Sequence, residues 1–194
     1  LASVLANGTV NGEPMGPLET FGYYLITFTA GHDTTKNALV GGMHALIENP
    51  DEFAKLRRDP GLVNAAVEEV VRWATPVNYM RRRAACDTEM GGRRIRKDDW
   101  LILFYASGNR DEDVFDDPFR FRVDRAPNPH VGFGYGEHFC LGSHLARRSQ
   151  RALFAELARR LEHVELAGEP EWIKSSFVVG LKHLPIRYRI ARGA

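Results

Sequence analysis

From Leu18 to Asn49 the chain carries no proline, and Phe21, Tyr23, Tyr24, Leu25, Ile26, Phe28 and Ala30 leave hardly a face of that stretch without an apolar side chain. The pattern predicts one long helix over 18–49, about 45 Å at 1.5 Å per residue. Its first third, apolar all round, belongs inside a protein. Asn49-Pro50 closes it, and "DEFAKLRRD" offers a short helix ended by Pro60-Gly61. A cleaner period follows over 62–74, where Val63, Ala66, Val67, Val70, Val71 and Ala74 take i, i+3, i+4, i+7 steps up to Pro76. Strand-like runs stand at 77–80, 93–96 and 100–105, with a Gly91-Gly92 turn between the first two. Residues 106–132 are rich in Asp, Pro, Asn and Arg and show no period, and a loop of that length tends to be functional. Leu141, Leu145, Leu153, Leu157 and Leu161 then keep an i+4 rhythm and predict a helix over 141–162. Around Pro185, "FVVGLKHL" and "IRYRI" predict a β-hairpin over 177–191. Residues 1–17, with glycines at 8, 12 and 16 and prolines at 14 and 17, read as a loop. The sum is a mainly α protein with small β-sheets, forming part of a single domain over 1–194.

Composition narrows this reading. With 194 residues, 44% hydrophobic and 26% charged, the chain can bury a core. The formal net charge of +1 points to no nucleic acid or other polyanionic partner. Two cysteines, Cys86 and Cys140, are too few for a disulfide framework and suit a reducing, cytoplasmic setting. The apolar run "FGYYLITFTAG" stops after about ten residues, too short for a membrane span. The chain starts at Leu1 rather than Met, so an upstream segment is expected.

The chemistry concentrates in "GFGYGEHFCLGSHLAR", residues 132–147. Gly134, Gly136 and Gly142 allow tight turns and the close approach of a flat ligand. Cys140 directly precedes a helical pattern, where free N–H groups and the positive end of the helix dipole favour thiolate over thiol. A dinucleotide loop would need a third glycine at 139, where Phe stands. A zinc site could draw on His138, Cys140 and His144 but finds no fourth ligand at the usual spacing. A structural cysteine at a helix start and a haem iron held by one thiolate remain open.

"FGYGEHFCLG" resembles the cysteine-ligand signature of the cytochrome P-450 superfamily, F-G-x-G-x-H-x-C-x-G, at Phe133, Gly134, Gly136, His138, Cys140 and Gly142. Three further stretches resemble family motifs in the same order: "AGHDTT" at 30–35, Glu69-x-x-Arg72, and Arg82-x-Ala84-x-x-Asp87. The resemblance implies haem b with Cys140 as axial thiolate, Phe133 beside the sulfur, and His138 and Arg82 on the haem propionates. It implies an oxygen-activation groove at Ala30 and Gly31, in which Thr34 positions protons and Asp33 relays them. Thr34 can also bond back to the Ala30 carbonyl. Glu69 and Arg72 would be a buried structural pair, with Arg120 as its third member.

The resemblance further implies a monooxygenase of the bacterial type that uses dioxygen, since a peroxide-driven relative would not need the Asp33–Thr34 relay. Ile26, Val77, Met80, Val178 and Val179 would line a substrate pocket, and their apolar side chains suit a lipophilic, steroid- or terpenoid-like molecule. Electrons from NAD(P)H would arrive through a separate ferredoxin reductase and ferredoxin, the latter docking on a basic patch of Arg147, Arg148 and Arg151. Family members are far longer, so the chain is expected to be the C-terminal portion of one. A non-catalytic haem-thiolate protein and a haem-free remnant are the alternatives.

Overall fold

A computed structural model describes residues 2–191 of the chain. Helices α1 (Ala2–Ala6), α2 (Pro17–Glu48), α3 (Pro50–Arg58), α4 (Val63–Ala74), α5 (Tyr105–Gly108) and α6 (Ser143–Arg160) alternate with short strands. The ten strands form five two-stranded antiparallel sheets: β1 (Thr9–Val10) with β2 (Glu13–Pro14), and β3 (Tyr79–Arg83) with β6 (Trp100–Phe104). The others join β4 (Thr88–Met90) to β5 (Arg93–Ile95), β7 (Leu161–Leu166) to β10 (Ile186–Ile190), and β8 (Glu171–Trp172) to β9 (Leu181–His183).

The N-terminal stretch read as a loop holds α1 and the β1–β2 hairpin. Asn11 and Gly12 both take positive φ, 54° and 87°, the two-residue turn that Asn-Gly favours between antiparallel strands. Pro17 opens α2, and the Gly16 N–H donates to the Glu19 carboxylate at 2.9 Å.

The two halves of α2 differ in environment. Asn37, Ala38, Gly42, Ala45 and Leu46 are buried, whereas Phe21, Leu25, Ile26 and Phe28 are exposed, Phe28 at 74%. The expected interior position of the first third is therefore not met by the described residues. Gly41 and Gly42 explain the close packing of the second half. A Cβ on Gly42 would lie 2.6 Å from Phe154 of α6 and 2.7 Å from Val70 of α4. These three helices, with α3 and the stretch around Phe121 and Val123, form the core of Leu46, Phe53, Leu56, Val67, Val70, Phe121, Val123 and Phe154.

The apolar stripe of α4 is buried as its period predicts, but Glu69 and Arg72, off that stripe, are buried too. This helix is thus enclosed on more than one side. On α6 the leucine rhythm marks the buried side only toward its end, where Leu157 packs against the core and Leu161, just past the helix, is buried. Ser143, Gln150, Phe154 and Ala158 point inward, while Leu141 just before the helix and Leu145 within it are 98% and 67% exposed.

Strand pairing also departs from expectation. The Gly91-Gly92 turn joins β4 to β5, and the strand after Pro76 pairs instead with β6, placing Met80 opposite Leu103 and Arg82 opposite Leu101. No hairpin forms over 177–191: β9 turns back to β8 and β10 to β7, so each finds its partner upstream. Pro185 lies between them and uses its carbonyl to accept from Ala167 N–H.

Candidate functional site

The non-periodic stretch 106–132 is held by two buried arginines. Arg72 of α4 forms a fork–fork pair with Glu69, Nε to Oε2 at 2.7 Å and Nη2 to Oε1 at 2.8 Å, with both side chains fully buried. Its Nη1 donates to the carbonyls of Asn109 and Pro118, both at 2.8 Å. Arg125 then completes the network, donating to Glu69 and to the carbonyls of Asp116, Asp117 and Arg120. The expected third member, Arg120, contributes only its backbone carbonyl, which accepts from both arginines, and its side chain is exposed. A guanidinium must be enclosed to satisfy several loop carbonyls at once, and Arg125 is the arginine that the fold encloses.

The end of α4 is unusual. Thr75 takes φ 38° and ψ 63°, the left-handed region that a β-branched residue rarely adopts. Its Oγ1 donates to Arg72 O at 2.7 Å and accepts from Asn109 Nδ2 at 2.9 Å. Asn109 Oδ1 in turn accepts from the Val131 N–H at 2.8 Å, tying the helix end to the start of the cysteine loop.

In that loop Gly134 and Gly136 both have φ 73°, the conformation their lack of a Cβ permits. The Cys140 N–H donates to Phe133 O at 2.9 Å, folding the loop back on itself, and a 3-10 turn spans Gly136–His138. Cys140 is half-buried, three residues before α6. Gly142 lies beside the sulfur, where a Cβ would be in ordinary van der Waals contact with Sγ at 4.0 Å.

The remaining predicted positions fall into two groups. Val77 and Val178 form an antiparallel bridge, and the Val179 N–H donates to Pro76 O at 2.9 Å, which assembles these residues near the start of β3. Met80 is half-buried on the same strand as Arg82. Ile26, Ala30 and Gly31 stand on the exposed part of α2, where a Cβ on Gly31 would meet nothing within 4 Å. Thr34 Oγ1 donates to Ala30 O at 2.6 Å, the back-bond that helical threonine allows. Asp33 accepts from Lys36 at 2.9 Å and lies 3.4 Å from His32 Nδ1. The Lys36 hydrogen bond and charge hold its carboxyl below the ordinary range.

The arginine triplet resolves by strand alternation. Arg81 stacks on Trp100 at 3.8 Å and Arg83 pairs with Asp98 at 3.0 Å. Arg82, on the other face, has no carboxylate partner among the described residues, and the exposed His138 imidazole makes no hydrogen bond to them. No group of three His, Cys, Asp or Glu side chains among the described residues could hold a metal ion, which removes the support for zinc.

Three residues that the sequence reading left without this role surround the loop. Glu68 accepts a fork from Arg147, at 2.7 and 2.8 Å, and lies 3.0 Å from His130 Nε2. Burial pushes the Glu68 carboxyl up, but hydrogen bonds from His130 and Arg147 and the Arg147 charge outweigh it and lower it to about 2. Arg147 is thereby withdrawn from the expected basic patch, leaving Arg148 and Arg151 exposed on α6.

The site is a cysteine presented from a glycine loop before a helix, on a mainly helical scaffold with small sheets. The chain belongs to the cytochrome P450 family, whose family model matches residues 61–190. It is 42% identical over 186 residues to cytochrome P450-terp of a Pseudomonas species, covering 96% of this chain and 44% of that protein. It is also 42% identical to linalool 8-monooxygenase of Pseudomonas putida, covering 96% of this chain and 46% of that protein. The crystal structure of CYP108D1 from Novosphingobium aromaticivorans superposes with a TM-score of 0.92 at 46% identity, over 97% of this chain and 46% of that one. The chain thus spans under half the length of these relatives. Their family implies a haem with a thiolate ligand. The residues present fit one: a half-buried cysteine on a glycine loop, and, for its propionates, an arginine without a carboxylate partner and an exposed histidine without a side-chain hydrogen bond among the described residues.

Proposed function

We propose that this chain builds the thiolate side of a haem monooxygenase that hydroxylates a lipophilic small molecule, with Cys140 as the axial ligand. The observation that carries the reading is the presentation of Cys140. Its N–H is tied to Phe133 O, two left-handed glycines shape the loop, and the thiol is only half-buried. When bound, the haem supplies the oxygen-activating chemistry, and a thiolate ligand favours O–O cleavage.

The chain's own residues orient and deliver. Arg82 would offer a planar fork and His138 a ring N–H to the propionate carboxylates, holding the group by its acidic side chains. On α2, Thr34 directs its hydroxyl hydrogen to Ala30 O, which leaves its oxygen lone pairs turned outward as an acceptor. Asp33 is exposed, and its lowered carboxyl keeps Oδ1 on Lys36, so its other oxygen is the one to take a proton from solvent and pass it to the Thr34 side. Ile26, Met80, Val77, Val178 and Val179 supply apolar contact for the substrate, for which a steroid- or terpenoid-like molecule is the best match. The linalool named in one relative agrees with that class. NAD(P)H electrons would come through a ferredoxin reductase and a ferredoxin docking on Arg148 and Arg151, whose charge would steer an acidic partner. No described helix is long and apolar enough to cross a membrane, and we place the protein in the cytoplasm, where Cys86 and Cys140 stay reduced.

The test is the carbon monoxide difference spectrum of the reduced, haemin-supplemented chain beside its Cys140→Ala variant. A strongly red-shifted Soret band that vanishes in the variant is expected. An unshifted band, or a shifted one that survives the substitution, would overturn the assignment.

A further inference from the structure

Two glutamates stand next to each other on α4, and the Glu69 network accounts only for the stretch before the cysteine loop. Glu68 faces the loop itself. Its Oε1 accepts from Arg147 Nε at 2.7 Å, and its Oε2 accepts from Arg147 Nη2 at 2.8 Å and from His130 Nε2 at 3.0 Å. The ring tautomer follows from the other nitrogen. Gly132 N–H donates to His130 Nδ1 at 3.2 Å, so Nδ1 is the acceptor and Nε2 carries the proton toward Glu68. The imidazole is nearly enclosed, its side chain 3% exposed.

This triad holds an aromatic ring. The Arg147 guanidinium carbon lies 4.4 Å from the Phe133 ring centroid, and the His130 ring lies 5.8 Å from it. Phe133 in turn supplies the carbonyl that accepts the Cys140 N–H. Gly132 fits flush against α4, since a Cβ there would sit 2.8 Å from Val71 Cγ1 and 3.2 Å from Val71 O. The path from Glu68 through Arg147 and Phe133 to Cys140 is therefore continuous, and it uses neither Arg72 nor Arg125.

We propose that Glu68, Arg147 and His130 form a positioning clamp that sets the Phe133 ring and the Cys140 backbone, separate in action from the Glu69–Arg72–Arg125 network. A carboxylate fork fixes the guanidinium plane, and a fixed plane can hold the face of a ring, which a lone arginine on a helix surface does not do. The geometry stands on the polypeptide alone. Only its consequence, control of the axial ligand, rests on the haem-thiolate reading.

The test accordingly has a haem-free arm. Amide hydrogen exchange over 130–141 is compared in the chain and in its Glu68→Gln, Arg147→Gln and Arg147→Lys variants, with the segment 109–125 as internal reference. Exchange at the Cys140 amide should rise about tenfold or more in Glu68→Gln and Arg147→Gln, with 109–125 unchanged. Arg147→Lys, which keeps the charge but not the fork, should fall between. Equal loosening of 109–125, an unchanged Cys140 amide, or full exchange there already in the parent chain would each overturn the clamp. In the haemin-loaded chain, Glu68→Gln should lower the fraction of red-shifted carbon monoxide band. If the exchange result holds while that fraction stays the same, the clamp exists but does not control the ligand, and the ligand-control part of the proposal fails.

Discussion

Glu68 and Glu69 occupy successive positions on α4 and anchor different parts of the chain. Glu69 takes Arg72, Arg125 and, at 3.1 Å, the side-chain amide of Asn128, whereas Glu68 takes Arg147 and His130. Neighbours on a helix diverge by roughly 100°, so one helix places one carboxylate in the 109–125 stretch and the other against the cysteine loop. Single substitutions can therefore separate their effects.

Replacing Arg72 with Leu removes the donor to three loop carbonyls and strips Glu69 of its fork in a fully enclosed site. Breaking such a buried pair costs about 3–5 kcal/mol, a large part of a domain's total stability. Urea unfolding should show the midpoint falling by a corresponding amount, or a chain that no longer folds. An unchanged midpoint would show the network to be dispensable.

Asn37 and Gly180 meet without room between them. A Cβ on Gly180 would lie 2.6 Å from Asn37 Oδ1, and neither polar atom of that amide has a hydrogen-bond partner among the described residues. Gly180→Ala should destabilise by about 1–3 kcal/mol through overpacking. Combining it with Asn37→Ala should restore part of that loss, since the amide goes and no hydrogen bond is sacrificed, while the Cβ of residue 37 stays 2.7 Å from the added one. Thermal melts of the two single variants and the double variant give the coupling; additive losses would refute the contact.

Acid stability carries a signature of Glu68. Its carboxyl is lowered from an ordinary 4.5 to about 2, so its contribution to stability is fully present above pH 4.5 and is lost as pH falls toward 2. Glu68→Gln lacks that ionisation. The stability difference between the parent chain and the variant should be constant above 4.5 and shrink below it. Urea midpoints across that window provide the measurement, and a difference that widens on acidification would contradict the pairing.

Arg82 tests the propionate assignment without reference to turnover. A hydrogen bond to a charged partner contributes about 1.5–3 kcal/mol, which corresponds to roughly ten- to a hundredfold in affinity. Arg82→Ala should weaken haemin binding by that factor in a Soret titration, while Arg81→Ala, which loses only its stack on Trp100, should leave it near the parent value. Equal effects of the two would make the arginine run a general anion surface instead.

The sequence by itself determined what is local. Gly134, Gly136, Cys140 and Gly142 lie within nine residues, so the turn and the thiol are written together, and the Val-rich period of α4 predicts a buried stripe that the fold retains. The Thr34 back-bond to Ala30 is likewise a four-residue matter within one helix. Asn11-Gly12 is as local a turn signal as Gly91-Gly92, set among glycines and prolines that by themselves favour a loop.

Tertiary structure decided which of several equivalent residues met which partner. Arg125 rather than Arg120 closes on Glu69, β3 pairs with β6, the last two strands reach back to β8 and β7, and Arg147 turns from the surface to Glu68. None of these has a period, because each joins residues nine or more positions apart, and many arginines or strands in one chain satisfy the same local rule. The choice among them falls to burial: an enclosed carbonyl or carboxylate must find a donor, and only the folded arrangement specifies which donor is within reach.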